Sequence, residues 1–182
     1  MRARTVVVDA NVLFSIELTD LFLTFATHRL LQIRWSEEIL GEVQRSLATS
    51  GRLSPAAIGR RLAAMQRALP DAPAEAPRAL VEQMRVEAND RHVLALAVAT
   101  GADAIVTFNV RHFPADYCMS LGIEVLTPDD LAMETLGGDS VEVMAALREI
   151  ALRRKMPSMT ISDLLDRWQV QLPGFVELAR DA

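Results

Sequence analysis

Four short apolar runs, each stopping at a polar residue or turn signal and three of them followed by a stretch of helical spacing, constrain the fold more than any other feature. Thr5–Val8 is β-branched and continuous, and is cut off by Asp9-Ala10-Asn11. Leu31–Trp35 alternates apolar and polar residues, and Ala104–Thr107 and Glu124–Leu126 are two further short runs. Continuous apolar strands are buried on both faces, which is the habit of parallel sheets. Helical spacing follows at Val12–Leu18 and Asp20–His28, then from Ser36 toward Ser50, where Ser36 suits an N-cap. Ser54-Pro55 starts another helix that ends near Leu69-Pro70, with proline at its first position. Asn89 can cap a helix from Asp90 to Thr100, closed by Gly101, and Thr127-Pro128 opens one toward Leu136. Strands alternating with helices predict an α/β fold, a parallel sheet with helices on both faces.

Pro70, Pro73 and Pro77 mark the segment 70–77 as a loop, and Gly137-Gly138-Asp139 is a break. No strand pattern follows it. Ser140–Arg154, Thr160–Trp168 and Gly174–Ala182 read as helices. The expected division is a sheet domain over 1–136 and a C-terminal helical extension over 140–182. With 51% apolar residues in a chain of 182, a full core can be buried.

Composition excludes several activities. Cys118 stands alone, so neither an internal disulfide nor a multi-cysteine zinc site is available. Lys155 is the only lysine and sits in Arg-Arg-Lys-Met-Pro, which excludes a phosphate-binding Gly-Lys-Ser/Thr loop. The net charge of −5 disfavours coating nucleic acid by bulk charge, leaving local arginines or bound cations to do that work. The longest apolar run, Val93–Ala99, is far short of the roughly 20 residues that span a bilayer. The run before Asp9 is too short for a secretory signal, so a cytoplasmic protein with no membrane partner is expected.

Ligands bind at the carboxyl ends of parallel strands, and the polar residues there define a candidate site. Asp9 ends the first strand, Asn109 and His112 follow the third, and Glu42 and Asp90 lie on neighbouring helices. Each has an ordinary explanation taken singly. Asp9 and Asp90 suit helix caps, Glu42 suits a solvated pair with Arg45, and Asn109 and His112 suit a loop. His28 and His92 read as structural or exposed. As a set the acids are harder to explain, because two carboxylates about 4 Å apart repel by about 4 kcal/mol at an effective dielectric of about 20. A hard divalent cation resolves the repulsion, and Mg²⁺ in particular favours one or two carboxylates together with substrate phosphate.

Four segments resemble the PIN-domain ribonuclease family in its VapC-like toxin branch. They are Val-Val-Val-Asp9-Ala-Asn11-Val-Leu, then Trp35-Ser-Glu-Glu-Ile-Leu-Gly-Glu42-Val, then the run from Asn89-Asp90-Arg-His through Thr107-Phe-Asn109-Val-Arg-His-Phe-Pro114, and Gly122-Ile-Glu-Val-Leu-Thr-Pro128. The resemblance implies a three-layer α/β/α fold and a Mg²⁺- or Mn²⁺-dependent endoribonuclease. It further implies the toxin of a two-gene module silenced by a protein antitoxin, and a homodimer. Carried onto this chain, Asp9, Glu42 and Asp90 are the catalytic acids and metal ligands, with Asn11 and Asn109 in support. The family often has a fourth acid after the third strand, where this chain has Asn109 and His112. The alternative is therefore a module on the same scaffold that binds RNA or protein and cuts poorly or not at all. Attraction for RNA falls to Arg52, Arg60 and Arg61, or to Arg148, Arg153 and Arg154. A phospho-acceptor receiver domain also clusters acids at strand ends, but it needs a lysine after a late strand, and this chain has none before Lys155.

Overall fold

In a computed structural model, which describes residues 3–154 and 158–182, the chain forms a four-stranded parallel sheet flanked by helices. Lys155 lies outside the described residues. The strands are β1 (Arg4–Val8), β2 (Leu31–Arg34), β3 (Ala104–Val106) and β4 (Glu124–Leu126), in the spatial order β2-β1-β3-β4. Val6 pairs with Ile33 on one side and Ala104 on the other, and Val106 pairs with Leu126. Val6, Val7 and Val8 are all fully buried, as are Ala104, Ile105 and Val106. Successive side chains of a strand point to opposite faces. Both faces of the central pair are therefore covered, as the continuous apolar runs require.

Ahead of β2 come α1 (Ala10–Leu13) and α2 (Ile16–Thr27), and after it α3 (Glu37–Ser50) and α4 (Pro55–Ala68). The Ser36 hydroxyl accepts from Ile39 N and the Ser54 hydroxyl from Ala57 N, so both predicted caps are made. The segment after Pro77 forms a short helix, α5 (Arg78–Gln83), and α6 (Arg91–Thr100) packs over β1 and β3. Gly101, at φ 59°, ends α6 in the left-handed conformation that glycine adopts without strain. A 3₁₀ turn (Val110–His112) and α7 (Ala115–Ser120) fill the connection from β3 to β4.

Beyond the sheet lie α8 (Pro128–Gly138), α9 (Ser140–Arg153), α10 (Ile161–Trp168) and α11 (Pro173–Arg180). The break expected over Gly137-Gly138-Asp139 narrows to its last residue. α8 runs through both glycines, and Asp139 alone separates it from α9, accepting from Glu142 N at 3.0 Å. The last helices fold back: α9 packs on α2, and α11 on α8. Phe175 meets Phe25 edge-on with ring centroids 6.3 Å apart and also touches Trp168. Their buried side chains belong to one core with those of the sheet.

Candidate metal centre

β1 leads to β2 on one side, while β3 lies on the other, so the strand order reverses between β1 and β3. Such a switch point opens a crevice beyond the strands' carboxyl ends. Asp9 and Thr107 stand on its two sides. Asp9 N donates to Val106 O and Thr107 N to Leu126 O, so each residue is held by the end of its neighbouring strand.

Asp9 is 6% exposed and sits just before α1, yet its carboxylate makes no cap hydrogen bond. Instead it accepts from Asn11 Nδ2 and from Thr107 Oγ1, each at 2.7 Å. Asn11 Nδ2 also reaches Thr107 Oγ1, and Asn11 Oδ1 accepts from Phe108 N at 3.1 Å. These bonds fix Asp9 but bring no positive charge to it. Burial pushes the Asp9 carboxyl above its ordinary value and the charge of Asp90 adds to the rise, against the hydrogen bond from Thr107 and the influence of His92.

Asp90, not Asn89, occupies the N-cap of α6, and its side chain likewise makes no cap hydrogen bond. Its Oδ2 lies 3.2 Å from His112 Nδ1. Among the described residues, ligand atoms of Glu87, Asp90 and His112 come within 4.8 Å of one another. Glu42 does not pair with Arg45. It lies 3.1 Å from His92 Nε2, and burial, with the charge of Asp9 in addition, raises its pKa against the pull of His92. The five predicted site residues thus divide. Asp9 and Asn11 are bonded to each other, and Asp90 and Glu42 both act on Asp9 electrostatically. Asn109 precedes the 3₁₀ turn, its backbone N–H held by Thr107 Oγ1, with no hydrogen bond to its side chain among the described residues.

Thr107, His92 and Glu87 are the members that sequence reading missed. His92, read as structural or exposed, is buried beside Glu42, and its Nδ1 has no hydrogen-bond partner among the described residues. Glu87 stands three residues before Asp90, a spacing that was available as a signal. Several arginines expected to attract RNA are already engaged. Arg61 donates to the carbonyls of Leu13 and Phe14, Arg153 pairs with Asp20 and Glu149, and Arg154 pairs with Asp20.

Asp9, Glu42 and Asp90 are not a group whose ligand atoms lie within 4.8 Å of one another, but their charges act on each other, and with the neutral donors around Asp9 they make a set of hard oxygen donors. It fits Mg²⁺ or Mn²⁺ better than a softer, thiol-seeking metal.

Residues 5–111 match the profile of the PIN domain, and residues 128–181 match that of the VapC50 C-terminal domain. A protein of Mycobacterium tuberculosis (strain ATCC 25618 / H37Rv), VapC50, which carries the name of a ribonuclease, is 36% identical over 101 residues. That alignment covers 56% of this chain and 60% of the relative, so the chain spans about three-fifths of the curated protein it matches. No solved structure matches.

Proposed function

Because this chain belongs to the PIN-domain family, we propose that it is a metal-dependent endoribonuclease, the toxin of a toxin–antitoxin module. The carrying observation is Asp9: a buried carboxylate at the strand-order switch, steadied by neutral groups and facing the charges of Asp90 and Glu42. Asp9 and Asp90 would hold Mg²⁺ or Mn²⁺, with Glu42 direct or through water. The ion supplies positive charge against the charge that develops on a phosphodiester under in-line attack.

The chain's own residues prepare that chemistry. Asn11 and Thr107 fix the Asp9 carboxylate, so no rotamer search remains when the ion arrives. His112 holds Asp90 and His92 holds Glu42. Burial raises the pKa of Glu42, as it does that of Asp9, and a raised carboxylate pKa suits a proton acceptor. Asn109 contributes at most a neutral carbonyl oxygen. Residues 1–136 carry the reaction, and 140–182 form a helical extension that supplies no ligand. RNA is the substrate and a cognate protein antitoxin the partner, with a homodimer as the working form in the cytoplasm. No described helix is long and apolar enough to cross a membrane.

The test is cleavage of RNA by the purified chain in Mn²⁺ and in EDTA. Asp9→Asn and Asp90→Asn should each reduce the metal-dependent rate by at least about 100-fold, on the scale of lost electrostatic stabilisation at a transition state. Wild-type rates from either folded variant overturn the assignment. The second reading, an RNA- or protein-binding module, is favoured by the loop after β3, where Asn109 and His112 bring no carboxylate and His112 is spent on Asp90. RNA binding with no EDTA-sensitive cleavage selects it.

A further inference from the structure

We propose that a groove beside the metal centre, along α3, holds the single-stranded RNA flanking the scissile phosphate, with Arg45 on a backbone phosphate and Phe14 against a base. The proposal rests on the endoribonuclease reading and goes beyond it by placing the substrate's path. The groove has a volume of about 560 Å³ and is lined by Asn11, Phe14, Arg45, Ser46, Thr49 and Ser50. Asn11 joins it to the centre, since the same side chain that holds Asp9 forms its wall.

α3 explains the arrangement. Ile39, Val43 and Leu47 bury one face of the helix. Glu42, Arg45, Ser46, Thr49 and Ser50 follow at spacings of three and four, which places them along another. At 1.5 Å per residue, Thr49 lies about 10 Å further along the axis than Glu42. The row therefore leads away from the metal centre.

Arg45 is exposed and makes no ion pair among the described residues. Glu42, one turn earlier, is taken by His92. Arg45 thus stays a solvent-facing cation that acts on Glu42 only through space, close to the centre of a chain whose net charge is −5, whereas Arg61, Arg153 and Arg154 are engaged. Phe14 is half-buried at the end of α1 and gives the groove an aromatic wall. A cationic side chain that tracks phosphate and an aromatic face that takes a base are the two elements by which proteins hold single strands. The hydroxyls of Ser46 and Thr49 have no hydrogen-bond partner among the described residues, while that of Ser50 donates to Leu47 O. Free hydroxyls beside the strand suit the 2′-OH, the group that distinguishes RNA from DNA.

The experiment measures binding of a short fluorescent oligouridylate by the full chain in EDTA, across a salt series. Arg45→Ala should weaken binding about tenfold and flatten the log–log salt slope by about 0.7, the share of one phosphate on a single strand. Arg45→Lys should restore the slope. Phe14→Leu should weaken binding about tenfold with the slope unchanged, as the loss of one stacked base does. In Mn²⁺ the Arg45→Ala defect should fall on KM, with kcat within about twofold of wild type, an interaction made equally in ground and transition states. If Phe14→Leu does not fold, the Arg45 slope decides alone. Arg45-dependent binding without cleavage keeps the groove and refutes the nuclease reading. Cleavage with an unchanged slope and KM in Arg45→Ala keeps the nuclease and refutes the groove.

Discussion

A buried carboxylate that receives hydrogen bonds only from neutral donors carries its charge at a cost, and Asp9 is such a group. Its raised pKa means that the folded chain binds a proton more readily than the unfolded one. Stability of the metal-free protein therefore falls as pH rises from the ordinary carboxylate value through the raised one, and ionised Asp9 destabilises the fold above that window. Asp9→Asn should raise the melting temperature in EDTA at neutral pH, lose that advantage at acid pH, and diminish the stabilisation given by Mn²⁺. A lower melting temperature at neutral pH would make Asp9 a structural residue. At this scale the sequence was legible where a polar residue interrupts an apolar run, as at Asp9 and Asn11. It was silent on Thr107, which reads as the last β-branched residue of a strand. His92 looked unpartnered because its neighbour in space, Glu42, is 50 positions away in sequence.

At the scale of elements, periodicity located every strand to within a residue and most helices by their caps. The order β2-β1-β3-β4 was not legible, because β1 and β3 join only across 95 intervening residues. That order is what brings Asp9 beside Thr107. α5 and α7 escaped for another reason. Each has six residues, with proline at its N-cap and no side-chain cap hydrogen bond, and helices that short rely on their surroundings rather than on propensity. The return of the tail depends on a contact that no local pattern reveals. Asp129, in the first turn of α8, accepts from Gly174 N at 3.0 Å and Phe175 N at 2.8 Å, clamping the start of α11. Asp129→Ala should destabilise the protein by about 1–2 kcal/mol, as the loss of a helix cap does, and should expose the segment between α10 and α11 to proteolysis. An unchanged denaturation midpoint would show that packing at Phe175 suffices.

Across the whole molecule, α9 is tied to α2 by charge as well as by packing. His28, at the end of α2, lies between Glu142 at 2.6 Å and Glu149 at 2.9 Å. Burial alone would lower the His28 pKa, but the hydrogen bonds and charges of the two glutamates outweigh it and raise the value above its ordinary 6.5. The stability this contributes is complete below about pH 6.5 and is lost as pH rises through the raised value. His28→Gln should therefore cost on the order of 1 kcal/mol near pH 6, given the half-exposed glutamates, and much less near pH 9. An equal cost at both values would assign His28 a packing role alone.

The contact between Phe25 and Phe175 also sets an order in time. A ribosome delivers Phe25 and the whole sheet, with every proposed metal ligand, long before it delivers Phe175. Domains begin to fold as they emerge, but here α9 covers part of α2 first, and Phe25 waits through the synthesis of α9 and α10 for its ring partner Phe175. A nascent chain therefore holds all the acids of its centre while its core is still open, and closure of the fold coincides with the arrival of α11.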